Sequence, residues 1–157
     1  MIKYYLRNND YSLKRGSDGA AGFDVRADLG TERTINPGER WKISTGLHIA
    51  MPRGVVAQIC SRSGLAINHG IVVTNGPGIV DSDYRGEVFV NLHNIDRTAA
   101  YVVRPGDRIA QLLFMPVLPF WEDRYGEPNF WEPVRFATLA ELGDTDRGEN
   151  GHGSTGR

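Results

Sequence analysis

Short apolar runs separated by turn residues fill the chain between residues 38 and 118. The runs are rich in β-branched and aromatic residues, and Pro-Gly or Gly-Pro-Gly combinations stand between them, which is the pattern of strands and tight turns. The predicted strands are 41–49, 55–59, 71–73, 88–92, 101–103 and 109–117. Many short strands joined by frequent turns are typical of an antiparallel sandwich or a jelly roll.

Helical patterning is confined to two short stretches. Residues 63–68 form the better candidate, with Ser63 as a candidate N-cap, and residues 138–142 could form one turn. We therefore predict an all-β protein, a jelly-roll-like β-barrel or sandwich with one short helix.

The C-terminal part of the chain differs in composition from the rest. A chain of 157 residues has the usual size of one domain. Residues 119–133 combine Pro, Trp, Phe and charges without a clean period, which predicts an inserted loop or hairpin. Residues 144–157 contain four Gly and no large aliphatic side chain. We predict a β-barrel domain over 1–143 and a flexible arm over 144–157, because the arm can bury too little apolar surface to offset its ordering entropy.

Charge and cysteine content exclude several classes of protein. Eighteen Lys and Arg stand against 19 Asp and Glu, a net charge of -1, so no overall field attracts nucleic acid or a membrane. No apolar run reaches the roughly 18 residues of a spanning helix, and the N-terminus lacks a signal-peptide pattern. The single cysteine, Cys60, suits a reducing compartment, so we expect a cytoplasmic protein. The sequence contains no zinc motif and no Walker A loop.

The densest polar cluster is the segment 75–87, which lies between two predicted strands. It places the acid Asp81 and the aromatic Tyr84 between Gly-bearing ends. A plain turn does not need these residues, so the segment favours a binding loop on a rigid scaffold. The alternative is a solvated hairpin tip.

Three further segments carry candidates for chemistry, and each candidate also has a plain structural explanation. Arg62 and Ser63 stand at the start of the predicted helix, where free N–H groups could bind an anion. Alternatively, Arg62 is a surface ion-pair partner and Ser63 an N-cap. Gln111 lies in an apolar strand, either as a ligand contact or as a satisfied core amide. Asp24 follows small residues that permit close backbone approach, or it forms a turn.

Five segments, taken in order, resemble the five ordered motifs of the trimeric dUTP diphosphatases, the dUTPases. They are AAGFDVRA at 20–27, SRSGLA at 61–66, NGPGIVDSDYRGE at 75–87, GDRIAQLLF at 106–114 and RGENGHGSTG at 147–156. The resemblance implies a jelly-roll-like homotrimer with exchanged C-terminal arms, in which each active site is assembled from more than one subunit. It also implies hydrolysis of dUTP to dUMP and pyrophosphate with Mg²⁺, which limits uracil in DNA and supplies dUMP for thymidylate synthesis.

The resemblance assigns roles to individual residues. Asp81 matches the acid that activates the attacking water, and Tyr84 matches the ring packed under the deoxyribose. The matches around uracil are Asn75, the backbone of Gly78, Ile79, Val80 and Asp81, the return strand near Phe89, and His152 in the arm. The matches to phosphate contacts, some of which also stabilise the leaving group, are Arg62, Ser63, Gly64 and Gln111, with Arg147, Gly153 and Ser154 in the arm. Asp24 and Gln111 match groups that hold metal-bound waters. His152 replaces the Phe of many members, and Asn150 replaces a common Gly.

Two other functions remain open. A dCTP deaminase resembles the dUTPases, but Asn91 stands at the position of its catalytic glutamate, and an amide cannot shuttle a proton. A non-catalytic, nucleotide-binding regulatory trimer would be expected to lack Asp81, Arg62 or Arg147, and all three are present. Residues 119–133 could contact a protein partner, or they could form a hairpin packed on the barrel itself.

Overall fold

The computed structural model describes residues 1–117. Within this range the chain forms eleven strands, one α-helix and a short 3-10 helix at Asn9–Tyr11. In chain order the main elements are β1 (Lys3–Leu6), β2 (Lys14–Arg15), β3 (Phe23–Arg26), β4 (Arg33–Ile35), β5 (Arg40–Ala50), β6 (Val55–Cys60), α1 (Ser63–His69), β7 (Ile71–Val73), β8 (Gly78–Val80), β9 (Val88–Asn94), β10 (Tyr101–Val103) and β11 (Arg108–Pro116). The predicted insert 119–133, the turn 138–142 and the arm 144–157 lie outside the described residues.

The strands form three antiparallel sheets around one core. The strand orders are β1-β5-β9-β7, β2-β3-β11-β6-β8 and β10-β4. Burial alternates strictly along β9, as expected for a strand with one face on the core. One cluster of buried apolar residues draws on all three sheets, with Leu92, Leu112 and Ile35 among its fully buried members. The predicted all-β class with one short helix is therefore confirmed.

All six predicted strands are present, and each end matches the prediction or differs from it by at most two residues. Five strands were not predicted: β1, β2, β3, β4 and β8. Each has only two to four residues. β1, β3 and β4 pair with strands far along the chain and β8 pairs with β6, whereas β2 pairs only with the next strand, β3. Local patterns cannot reveal such pairing.

The single helix connects β6 to β7 beside the candidate site. Arg62, not Ser63, is the N-cap, and it makes no side-chain capping hydrogen bond, so the interpretation of Ser63 as the N-cap was wrong. The helix ends at Gly70, whose φ of 62° lies in the left-handed region that only glycine adopts readily. Within residues 1–117, no helix has the length and apolarity needed to cross a bilayer.

Candidate active site

The segment 75–87 is a hairpin whose middle is hydrogen-bonded into a second sheet. β7 and β9 pair at its base in the four-stranded sheet, whereas β8, inside the segment, pairs with β6 of the five-stranded sheet. Gly78 permits this pairing, because a Cβ there would lie only 3.3 Å from the Cβ of Ile59. The solvated-tip interpretation is therefore wrong for β8, and Asp81 directly follows an anchored strand.

A depression of about 220 Å³ lies beside the hairpin. Its lining residues are Ile79, Val80, Asp81, Tyr84, Glu87, Val88 and Phe89. The Tyr84 ring is 44% exposed, and its hydroxyl donates a hydrogen bond to the backbone oxygen of Glu87 over 2.9 Å. The ammonium of Lys42 lies 4.2 Å from the centre of the Phe89 ring. Five residues predicted to contact the base, the sugar or the attacking water thus share one concave surface.

Asn75, the predicted uracil-binding amide, is not one of the lining residues of this depression. Its Nδ2 lies 3.4 Å from the position that a Cβ on Gly78 would occupy. Its side chain therefore packs on the backbone of β8, one of the segments with which it was predicted to act.

A second cluster forms around Asp24. The pairing of β3 with β11 places Gln111 opposite Asp24. The Asp24 carboxylate forms ion pairs with Arg62, Nε to Oδ1 at 3.3 Å, and with Arg108, Nη1 to Oδ2 at 3.1 Å. The Arg62 guanidinium also donates to the backbone oxygen of Arg108 over 3.0 Å. Segments 20–27, 61–66 and 106–114, which are far apart in the sequence, therefore meet here.

Gln111 is partly buried and is fixed by its neighbours. Its Nε2 donates to the backbone oxygen of Ser61 over 2.9 Å, and a Cβ on Gly22 would lie 2.9 Å from its Oε1. The close approach of Gly22 thus helps to fix the amide. Ser63 and Gly64 are exposed at the start of α1, directly after Arg62. These four residues carry the predicted phosphate contacts of the described chain: Arg62, Ser63, Gly64 and Gln111.

The two clusters are not joined to each other. Among residues 1–117, no side-chain hydrogen bond or ion pair connects Asp81, Tyr84 or Phe89 with Asp24, Arg62 or Gln111. Ser61 contacts the base of the hairpin and the second cluster: its Oγ accepts from the backbone N–H of Val73 in β7 at 2.8 Å, while its backbone oxygen accepts from Gln111. The described part of one chain therefore presents two separate groups of candidate residues. Arg147, His152, Gly153 and Ser154 lie outside the described residues.

The donor atoms around Asp24 do not form a ready-made metal cage. Over residues 1–117, no group of three His, Cys, Asp or Glu side chains is close enough to hold an ion. Both oxygens of Asp24 face guanidinium groups, which oppose a directly bound cation by charge repulsion. Asp24 and Gln111 fit a cation held through water, with its inner ligands supplied by phosphate oxygens and other waters.

Glu87, which the sequence did not single out as a functional residue, links three segments next to Tyr84. Its Oε1 accepts hydrogen bonds from Ser44 Oγ at 2.5 Å, from the N–H of Gly46 at 2.9 Å and from the N–H of Thr45 at 3.1 Å. Its Oε2 lies 2.8 Å from Nη2 of Arg7.

The pKa of the Glu87 carboxyl reflects these contacts. Burial alone would raise this pKa, but the hydrogen bonds and the Arg7 charge outweigh burial and lower the pKa below its ordinary value of 4.5. Glu87 is therefore ionised at neutral pH. Sequence reasoning missed this network because Arg7 and Ser44 are 80 and 43 residues away, and nothing local marks such contacts. Arg108 was also missed, although it lies inside the segment 106–114.

Comparison with known proteins identifies the family. Residues 9–156 match the family model described as dUTPase. A deoxyuridine 5'-triphosphate nucleotidohydrolase from Desulfotalea psychrophila is 45% identical over 140 residues, which is 89% of this chain and 83% of the relative. The chain therefore belongs to the dUTPase family, as the five ordered motifs predicted.

Solved structures agree at the level of the fold. A dUTPase mutant of Staphylococcus bacteriophage 80alpha, solved with dUpNHpp, aligns with a TM-score of 0.77 at 21% identity, over 100% of this chain and 99% of the phage chain. A dUTPase mutant from phage phi11 of S. aureus, in which a structural Mg(II) ion is coordinated, aligns with a TM-score of 0.68 at 20% identity, over 88% and 99% of the two chains. The predicted jelly-roll-like fold is thus the fold of known dUTPases.

The lowered pKa of Glu87 makes part of the folding stability dependent on pH. A carboxyl whose pKa is lower in the folded state stabilises the fold above its unfolded pKa, near 4.5, and this stabilisation is lost as the pH falls through the folded pKa. Glu87→Gln should therefore lower the free energy of unfolding at pH 7 by about 1.5–3 kcal/mol, the range for hydrogen bonds to a charged group. The difference from the parent protein should shrink as the pH drops below about 4.5. Urea unfolding of both proteins at pH 7, 5 and 3.5 measures it; a difference that stays constant with pH would contradict the assignment.

Proposed function

We propose that this protein hydrolyses dUTP to dUMP and pyrophosphate by attack of water on the α-phosphorus. The observation that carries the proposal is the shared depression lined by Asp81, Tyr84 and Phe89, in a chain of the dUTPase family. The curated relatives named deoxyuridine 5'-triphosphate nucleotidohydrolase support the same substrate and reaction. In a cell this activity would limit uracil in DNA and supply dUMP. The single thiol and near-neutral charge favour work in the cytoplasm.

Asp81 is the proposed base. Its carboxylate is exposed directly after the anchored strand β8, so its backbone is fixed while its side chain can reach a bound water. A carboxylate within hydrogen-bond distance of the attacking water both orients the water and accepts its proton.

Uracil and deoxyribose are proposed to occupy the depression, with Tyr84 under the sugar and Phe89 beside the base. The side chain of Asn75 cannot distinguish uracil from cytosine by itself, since its amide carries both a donor and an acceptor and can rotate. Fixed N–H and C=O groups of residues 78–81 must make the distinction. A mismatched base would leave these groups unpaired, which can reject it by about 10⁴-fold or more.

The triphosphate is proposed to bind at the cluster around Asp24. Arg62, the Ser63 hydroxyl, the Gly64 N–H and Gln111 offer charge and hydrogen bonds to the phosphates and to the leaving oxygen. Arg147, Gly153 and Ser154 of the arm would close on the phosphates, and His152 would stack on the base. Asp24 and Gln111 would hold waters of a bound Mg²⁺. When bound, Mg²⁺ neutralises phosphate charge and withdraws electrons from the phosphorus.

The active enzyme is proposed to be a homotrimer with exchanged arms. Support comes from the separation of the two clusters within one chain, since one nucleotide must contact both the depression and the phosphate groups. A neighbouring subunit can supply the missing half of each site.

A dCTP deaminase is not favoured, because Asn91 on β9 cannot transfer a proton. A non-catalytic trimer is not favoured, because Asp81 and Arg62 are both present. Residues 119–133 remain a candidate surface for a protein partner.

Substrate preference provides the first test. Purified protein with Mg²⁺ should release pyrophosphate from dUTP far faster than from dTTP, dCTP or UTP, because only dUTP matches both the hairpin backbone and the Tyr84 ring. Pyrophosphate and ammonia would be measured for each nucleotide. Comparable turnover of dCTP, or release of ammonia, would contradict the proposal.

Mixed trimers test the shared site. Asp81→Asn and Arg62→Ala should each be inactive alone, the first because an amide cannot accept the water proton. If Asp81 and Arg62 of one site come from different subunits, a 1:1 mixture refolded together should regain about a quarter of the parental activity, the random probability that a site receives both intact halves in a cyclic trimer. Separately refolded variants mixed afterwards are the control. No recovery from folded mixed trimers would place both residues in one subunit.

Truncation after Asp146 tests the arm. We expect an unchanged fold and trimer, strongly reduced turnover of dUTP, and loss of the preference for dUTP over dUMP in binding, because only the triphosphate gives the arm enough contacts to close. His152→Phe should be tolerated and His152→Ala should not, since Phe keeps a stacking face. Turnover of the truncated protein within about threefold of the full chain, less than 1 kcal/mol of barrier, would rule the arm out as a lid.

A further inference from the structure

We propose that Glu87 is a positioning residue that sets sugar selectivity by fixing the Tyr84 ring against the deoxyribose position. The inference rests on the proposed function, because it concerns the discrimination between dUTP and UTP. It assigns a role to a residue whose carboxylate need not touch the substrate: both of its oxygens already have protein partners.

The strands β5 and β9 pair irregularly next to Glu87. Ile43 faces Val90 and Leu47 faces Val88, so three residues of β5 stand opposite one residue of β9 and form a bulge. The N–H groups of Thr45 and Gly46 in this bulge are satisfied by Oε1 of Glu87. Partly buried N–H groups need such a partner, so the bulge and the Glu87 side chain hold each other in place.

The other carboxylate oxygen of Glu87 pairs with Arg7. Arg7, which follows β1, is paired with Oε2 of Glu87 and also donates its own backbone N–H to the oxygen of Gly46 over 3.0 Å. The Glu87 side chain is 16% exposed, so water screens this charge pair only in part. Glu87 is thus fixed on one side by the bulge and on the other by Arg7.

Tyr84 is hydrogen-bonded to the backbone of Glu87. The hydroxyl of Tyr84 donates to the backbone oxygen of Glu87, and the Tyr84 ring lies against the α-carbon of Gly86. A second tether holds the same loop: Nδ1 of His48 lies 3.0 Å from the backbone oxygen of Arg85. The orientation of the half-exposed ring therefore depends on where the Glu87 backbone lies.

The consequence concerns the 2′ position of the sugar. A ring held against the deoxyribose leaves no room for the extra hydroxyl of UTP, and a ring that can retreat would admit it. Loosening Glu87 should therefore change selectivity more than the rate of the chemical step. Asp81 shares one backbone hydrogen bond with Tyr84, whose N–H donates to its oxygen over 3.2 Å, but it directly follows β8, which β6 anchors independently of Glu87.

Glu87→Gln is the test, with Glu39→Gln as the matched control. Glu39 also accepts a backbone hydrogen bond, from Asn36, but lies at the other end of β9, where its backbone oxygen accepts from Asn94. Steady-state kinetics with dUTP and UTP should show that Glu87→Gln lowers the ratio of kcat/KM for dUTP to that for UTP by about tenfold or more, about 1.4 kcal/mol. The kcat for dUTP should stay within about threefold of the parent, and Glu39→Gln should leave the ratio unchanged.

A double variant separates action through Tyr84 from a general loosening of the fold. Tyr84→Phe removes the hydroxyl that binds the Glu87 carbonyl, so Glu87→Gln should change the ratio much less in the Tyr84→Phe background than in the parent. An equal change in both backgrounds would overturn the proposal. So would an unchanged ratio in folded Glu87→Gln.

If Glu87→Gln does not fold, Ser44→Ala tests the same proposal. It removes one hydrogen bond to Oε1 of Glu87 and leaves the ion pair between Arg7 and Glu87 intact. A smaller loss of selectivity in the same direction is expected, and a ratio equal to that of the parent would overturn the proposal. Parental protein that does not hydrolyse dUTP would refute the proposed function itself, a result that requires no variant.

Discussion

Both groups of candidate residues depend on the hydrogen bonds of β6. On one edge β6 pairs with β8, which holds the hairpin that carries Asp81. On the other edge it pairs with β11, which carries Gln111, and the residue Arg62 follows closely after its end. Backbone hydrogen bonds along two edges fix positions along the strand to a single register. One strand, β6, thereby fixes the positions of the proposed base, Asp81, and of the residues proposed to bind the phosphates.

In the cluster around Asp24, the carboxylate compensates the charges of two arginines. Arg62 and Arg108 come close enough to share Asp24, and two like charges at that separation would repel each other in a partly buried place. The carboxylate between them offsets this repulsion and fixes the guanidinium groups at the same time. In the proposed reaction, a triphosphate would meet arginines that are already oriented, so little binding energy is lost in ordering them.

The outer part of the hairpin, around Tyr84, is held in place mainly by hydrogen bonds from side chains. Within residues 1–117 this part pairs with no strand. It is held by side-chain contacts to Ser44 and His48 of β5 and to Arg7, which follows β1. The proposed division of work is that β8 fixes Asp81 for catalysis, whereas Glu87 fixes Tyr84 for selectivity. A site assembled between subunits would join this hairpin to the arginines of a neighbour.

Much of the site could be predicted from the sequence because it is encoded in local segments. Alternating apolar residues and turn residues gave the six longer or better-marked strands and the helix, and the five ordered motifs gave the family. Tyr84 and Phe89 both line the depression, as predicted, and Asp24 and Gln111 lie opposite each other on paired strands.

Tertiary structure alone decided how these segments meet. The three residues of β8 have a strand partner only because β6 lies beside them, and Ser63 gives up the cap position to Arg62. Arg108 and Glu87 acquire their roles from partners more than 40 residues away. The physical reason is that hydrogen bonds and ion pairs act over a few ångströms in space, while a sequence pattern records only the spacing of residues along the chain.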